Sequence, residues 1–308
     1  MLITPEEALS YLNAGDVVAL PTETVYGLAA SIAHPEAIKK IYALKGRPSN
    51  NPLIVHLASV SQLQQYTKAL PPHTENLITQ FWPGPLSIVL DAHGIPEEAT
   101  GGLATAAFRV PALPITQNII AAAGPLVMPS ANLSGKPSGT SPQDLFDDFG
   151  DDLPVIDGGE RPGGIESTVI HYLDGEWRII RLGAISAEQL SKVLGYLPLF
   201  AATTQDQPTC PGQLYRHYAP KARLQLQKSF SNETGVLIGF SDRRYPSTLE
   251  LIAVGTTETP YTVGENLYAT LRECDRRGLT NVWVDIDLPE GGLWETIKER
   301  INKAASHG

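Results

Sequence analysis

Cysteine is scarce in this chain of 308 residues: Cys210 and Cys274 are the only two, and they lie far apart. Such spacing offers neither a disulfide framework nor paired zinc ligands, so both read as ordinary thiols. Long apolar runs are missing as well. No stretch approaches the ~20 residues that cross a bilayer, so no membrane span is expected. The opening Thr4-Pro5-Glu6-Glu7 is acidic where a signal peptide would be basic, and the cytoplasm is the expected compartment. Positive charge is in deficit: 23 Lys and Arg face 33 Asp and Glu, a net charge of −10. That balance opposes broad attraction to nucleic acid but leaves room for a local basic cleft. Absent too are an HExxH helix, a Cys/His quartet, a Ser-His-Asp pattern and the GxxxxGK[ST] phosphate loop. No metal-ligating set and no acyl-enzyme nucleophile is therefore expected.

What is present is an α/β alternation. Thr4 caps a helix with proline at its first position and acids in its first turn. Strands are expected over 16–20, 53–57, 86–90, 106–110, 126–128, 155–157, 167–171 and 177–181. Helices are expected over 35–45, 74–81, 114–123 and 142–149, and another opens on the capping box Ser186-Ala187-Glu188-Gln189. From Phe200 to Pro211 the periodicity fades into Thr, Gln, Asp and Pro, as in linkers. Beyond it, strands over 235–240, 251–254 and 282–285 accompany helices over 266–277 and 293–305. The expected division is a large domain at 1–199, a linker at 200–221 and a small α/β domain at 222–308.

Several clusters concentrate chemistry where strands end, the usual ligand side of α/β sheets. Pro21-Thr22-Glu23-Thr24-Val25-Tyr26-Gly27-Leu28 gathers hydroxyls and a carboxylate, as a polar-ligand site or a capped turn would. Lys45-Gly46-Arg47-Pro48 supplies two cations, one of them a planar fork suited to phosphate or carboxylate. Met128-Pro129-Ser130-Ala131-Asn132-Leu133-Ser134-Gly135-Lys136 runs on to Thr140 as a phosphate cradle or a Ser/Gly surface loop. Arg109 interrupts an apolar strand and needs an anionic partner, from a ligand or from Asp or Glu. Cys210-Pro211-Gly212-Gln213-Leu214-Tyr215-Arg216-His217-Tyr218-Ala219-Pro220-Lys221 is too aromatic and basic for a plain tether, and is expected to cover the cleft mouth or pack on the large domain. The excess of guanidinium, ammonium and hydroxyl groups over nucleophiles points to catalysis by positioning and charge stabilisation, as in transfer at phosphorus.

Taken in order, these segments, with Phe81-Trp82-Pro83-Gly84-Pro85-Leu86, Phe108-Arg109-Val110-Pro111 and Glu166-Ser167-Thr168-Val169-Ile170, resemble the threonylcarbamoyl-AMP synthase family. Tyr215-Arg216-His217-Tyr218-Ala219-Pro220 resembles its two-domain branch, and Leu182 departs from it by standing where the family usually has proline. The resemblance implies a YrdC-like domain with a twisted open mixed sheet, a linker and a small Rossmann-like domain. It implies condensation of L-threonine, bicarbonate and ATP, with Mg²⁺ accompanying ATP, to threonylcarbamoyl-AMP and pyrophosphate. The product would pass to a tRNA threonylcarbamoyl transferase complex, with at most a weak direct contact to tRNA. Thr24, His56, Arg109, Ser130 and Ser167 would hold threonine. Arg47, Asn51, Thr105, Asn132, Thr140, Arg181 and Tyr218 would contact ATP, and Lys45 and Arg47 would neutralise charge on the phosphates. A non-catalytic RNA- or tRNA-binding module is the competing reading.

Overall fold

The computed structural model describes residues 1–159, 164–201 and 218–306. The large domain begins β1 (Leu2–Ile3), α1 (Pro5–Asn13), β2 (Val18–Leu20), β3 (Gly27–Ser31), α2 (Pro35–Lys45), β4 (Ile54–His56) and α3 (Val60–Leu63). It continues α4 (Thr74–Phe81), β5 (Leu86–Asp91), α5 (Glu97–Thr100), β6 (Thr105–Arg109), α6 (Pro114–Ala123) and β7 (Leu126–Val127). It ends α7 (Pro142–Phe149), β8 (Val155–Ile156), β9 (Thr168–Leu173), β10 (Glu176–Arg181) and α8 (Ala187–Leu194). Among the described residues the strands form one 10-stranded mixed sheet in the order β1-β8-β2-β3-β7-β4-β6-β5-β9-β10.

Side-chain alternation explains how the sheet fills two cores. On β2 and β3, Ala19, Leu28 and Ala30 enter the main core with Ile38, Ile41, Val55 and Phe108. Val18, Leu20 and Ala29 point the other way, onto Ala8 and Leu12 of α1 and Ile119 and Ile120 of α6. β3 had no sequence expectation as a strand; its first two residues, Gly27 and Leu28, end the cluster that reads as a polar-ligand site or a capped turn. Its Gly-Leu-Ala-Ala-Ser composition carries no β-branched signal, yet pairing with β2 and β7 buries all five residues.

The small domain comprises β11 (Arg223–Gln227), β12 (Gly235–Phe240), β13 (Leu249–Gly255), α9 (Pro260–Arg276), β14 (Asn281–Asp285) and α10 (Leu293–Ala305). Its strands pair in parallel in the order β11-β14-β12-β13. β11 had no sequence expectation. α9 starts six residues before the expected 266, because Pro260 occupies its first turn behind Thr259.

The two domains share an apolar interior. Val25 and Ile165 of the large domain cluster with Tyr218, Leu267, Tyr268, Leu271 and Ile297. Leu190 and Leu194 anchor α8 in the large core, and Ala201 N–H still donates to Ile179 O of β10. The expected cleft cover falls largely on residues 202–217, outside the described residues; so do Cys210, Tyr215, Arg216 and His217.

Candidate active site

The C-terminal ends of β4 and β6 lie side by side, with His56 opposite Arg109 in parallel register. Arg109 is buried, and its fork is met from several sides. Nε donates to Gly84 O at 3.1 Å, while Nη2 donates to Glu23 Oε1 at 2.6 Å and Thr24 Oγ1 at 3.1 Å. The anionic partner demanded by an arginine in an apolar strand is thus Glu23, itself anchored by Ala112 N–H at 2.9 Å. Thr22 Oγ1 accepts from Thr24 N–H and Val25 N–H, closing the turn that presents Thr24.

His56 Nδ1 lies 3.1 Å from Ile54 O. A carbonyl only accepts, so the proton sits on Nδ1 and Nε2 is the acceptor that the ring offers the cleft. Burial, reinforced by the Arg109 charge, brings the imidazole pKa down to about 3.

The cationic motif divides its work. α2 ends at Lys45, and Gly46 takes the left-handed conformation (φ 59°) that turns the chain out of the helix. Lys45 is fully buried and donates through Nζ to Ser130 O at 2.5 Å and Asn132 O at 2.7 Å. Burial first, then the neighbouring Arg47 charge, drives its pKa well below the usual lysine value. Arg47 lines the cleft, with Nη2 donating to Pro52 O at 3.0 Å.

The loop after β7 is a built wall. Ser130 Oγ donates to Asn132 Oδ1 at 2.6 Å, and Asn132 Nδ2 donates to Leu133 O and Lys136 O. Asp144 Oδ2 accepts from Thr140 N–H, Thr140 Oγ1 and Ser141 N–H. Gly139 is required here, since a Cβ would stand 2.7 Å from Ala131 O and 2.5 Å from Leu145 Cδ1. On the opposite wall, Arg181 Nη2 donates to Ser167 O at 2.8 Å and Oγ at 3.1 Å, and Ser167 Oγ lies 2.8 Å from Ser87 Oγ.

These walls line one polar cleft, at the strand ends where α/β folds hold ligands. It brings together Thr24, Arg47, His56, Arg109, Ser130, Asn132, Ser167, Arg181 and Tyr218 from the sequence expectations. Lys45, Asn51, Thr105 and Thr140 are not among its lining residues. Lys45 and Thr140 are buried behind it, holding the wall. Asn51 is buried beside Arg47 with its carbonyl O accepting from Tyr42 Oη. Thr105 sits at the opposite end of β6 from Arg109.

Sequence reasoning assigned no role to Glu166 and Ser138, which also line the cleft. Ser138 Oγ donates to Glu166 Oε1 at 2.7 Å, and Tyr268 Oη donates to Oε2 at 2.8 Å. Burial alone would raise this carboxyl, but the Arg300 charge, then Arg181, Ser138 and Tyr268, hold its pKa at about 2. The signal that could have led there is Arg300 itself, a cation within the apolar stripe Leu293, Ile297, Ile301, Ala304 of α10.

The family model described as telomere recombination matches residues 10–183. The model of the threonylcarbamoyl-AMP synthase C-terminal domain matches 185–306. The threonylcarbamoyl-AMP synthase of Pyrococcus abyssi is 37% identical over 97% of this chain and 93% of its own length. The chain belongs to the threonylcarbamoyl-AMP synthase family. The family member of Bacillus subtilis is 35% identical, covering 97% of this chain and 92% of its own. A crystal structure of the P. abyssi Sua5 protein complexed with L-threonine superposes with a TM-score of 0.90 at 35% identity, over 98% of this chain and 94% of that one. This family fold has the large mixed sheet and the second, parallel-sheet domain described above. The second family model starts ahead of α8, yet the side chains of α8 pack in the large core.

Proposed function

We propose that this protein condenses L-threonine, bicarbonate and ATP into threonylcarbamoyl-AMP with release of pyrophosphate. The observation that supports it most is the convergence of Thr24, His56 and Arg109 with Arg47, Asn132 and Arg181 on one cleft in a chain of this family. Threonine lies toward Thr24, His56, Arg109, Ser130 and Ser167, its carboxylate directed at the Arg109 fork beside Glu23. Neutral His56 can accept a hydrogen bond from an N–H or O–H of the substrate. ATP lies toward Arg47, Asn132, Arg181 and Tyr218, with its phosphates at Arg47. Asn51, Thr105 and Thr140 act in this reading through the strand and loop that carry the site. Lys45 supports the phosphate side by fixing the Ser130 and Asn132 carbonyls.

The threonine amine takes up bicarbonate as a carbamate, losing water, and a carbamate oxygen attacks the α-phosphorus as pyrophosphate departs in line. No protein nucleophile is required. Holding the two reactants in register accounts for roughly 7–11 kcal/mol of barrier lowering. Among the described residues, no group of three His, Cys, Asp or Glu could hold a metal ion. The cleft carboxylate Glu166 is already engaged by Ser138, Tyr268 and Arg300. The described residues do not by themselves form a Mg²⁺ site, and Mg²⁺ enters this proposal with the triphosphate as part of the substrate. The product then goes to a tRNA-modifying transferase complex in the cytoplasm, with any contact to tRNA weak. Among the described residues, no helix is long and apolar enough to cross a membrane.

The test is pyrophosphate release from ATP by the purified chain, with threonine and bicarbonate omitted in turn. Dependence on both is expected. Release indifferent to threonine would overturn this reading, and a salt-sensitive tRNA shift without any turnover would replace it with the RNA-binding one.

A further inference from the structure

We infer that the small domain shapes the catalytic cleft, with Arg300 and Tyr268 as positioning residues that seat Tyr218 and Glu166 in its wall. The inference rests on the functional reading above and adds to it residues from α9 and α10 that do not themselves line the cleft.

Tyr218 lines the cleft with φ at 66°, a left-handed conformation that a tyrosine adopts only under constraint. The small domain packs on its ring. The Tyr268 ring stacks on Tyr218 with centroids 5.1 Å apart and planes at 13°, and the Arg300 guanidinium lies 4.7 Å from the Tyr218 ring centre. Arg300 is wholly buried, so its donors must be satisfied and their partners fix where it sits. Nε donates to Tyr268 Oη at 3.0 Å and Glu166 Oε2 at 3.3 Å, Nη2 to Leu182 O at 2.6 Å, and Nη1 to Glu299. Thr296 Oγ1 adds a bond to Gly183 O at 3.0 Å. The turn after Arg181, where Leu182 replaces the proline usual in the family, is thereby tethered to α10 by two consecutive carbonyls.

Charge leads to the same residues. An ionised carboxylate in the wall of a cleft that receives a triphosphate would repel it. Glu166 escapes this because Arg300 neutralises it from behind, while Ser138, Tyr268 and Arg181 surround it on the other sides. Removing Arg300 loosens Tyr218 and also takes from Glu166 its largest compensating charge, leaving Arg181 as the cation that acts on it.

The experiment is steady-state pyrophosphate release by the full-length chain, comparing wild type with Tyr268→Leu, Tyr268→Phe, Arg300→Met, Tyr218→Leu and the Tyr218→Leu/Tyr268→Leu double variant. Tyr268→Leu and Arg300→Met should raise KM for ATP about tenfold, with a smaller loss in kcat. Tyr268→Phe keeps the stacked ring and should stay within about threefold of wild type. The double variant should exceed Tyr218→Leu alone by no more than about the threefold that loss of the Tyr268 hydroxyl costs, since the rest of the Tyr268 effect passes through the Tyr218 ring. In Arg300→Met, Glu166 ionises at higher pH than in wild type, so KM for ATP should rise with pH across the acid range where wild type is flat. Additive effects, or a KM for ATP unchanged in Tyr268→Leu, would overturn the inference. Should Arg300→Met fail to fold, the Tyr268 series and its double variant decide alone. An inactive wild type overturns the functional reading, a result distinct from an active wild type indifferent to these substitutions.

Discussion

At the residue scale, the site is governed by groups whose charge state burial has set. His56 is neutral in the fold because burial and Arg109 hold its pKa at about 3, against 6.5 when exposed. The unfolded chain therefore binds a proton that the folded one refuses, and this contribution is fully present above pH 6.5 and diminishes as pH falls toward 3. At pH 5 it amounts to a loss of about 2 kcal/mol relative to pH 7.5. His56→Gln should remove that part of the acid sensitivity, measured by urea unfolding at the two pH values; equal acid losses in both proteins would contradict the assignment. Arg109 shows what sequence could and could not tell. A guanidinium in an apolar strand demanded an anion, and that demand was legible. Which carboxylate answers it was not, because Glu23 reaches Arg109 only after β2 and β6 are placed in the same sheet.

At the scale of elements, legibility followed the local signal. Helices with caps and proline starts, such as α1 and α7 with their capping boxes, fell where composition placed them. β3 did not, because its small residues become a strand only through pairing with β2 and β7. The cleft motifs could be read as polar turns, and the family resemblance supplied the reason to group them. No spacing rule links Glu166 to Arg300, since their contact depends on how α10 docks. The turn between β10 and α8 carries a sharp packing limit. A Cβ on Gly183 would lie 2.3 Å from Ser167 C and Thr168 N, which are backbone atoms that cannot move aside. Gly183→Ala should destabilise the protein by about 1–3 kcal/mol and shift Ser167 in the cleft wall. A melting curve paired with threonine titration checks this; a variant with wild-type melting would show that the approach is not tight.

At the scale of the whole molecule, the two domains are joined through buried chemistry. Arg272 of α9 is buried in the seam, donating to Pro137 O at 2.6 Å and Asp148 Oδ2 at 2.8 Å, while Arg276 reaches Asp144 Oδ1 at 3.0 Å. Val25 and Ile165 belong to the same apolar cluster as the small-domain core. Opening this seam would expose apolar surface and strand the buried charges together, so neither half should melt by itself. Calorimetry should therefore record one cooperative transition for the full chain; two resolved peaks would show the domains to be independent.

The Glu166–Tyr268–Arg300 contact also constrains how this chain can change over generations. Losing the carboxylate alone leaves the buried guanidinium with Glu299 as its counter-charge, and losing the guanidinium alone takes the largest compensating charge from the carboxylate in the cleft wall. These positions in separate halves of the gene can drift only as a matched set, so a chimera that borrows its second half from a distant relative should inherit a working cleft only when the matching partners travel with it.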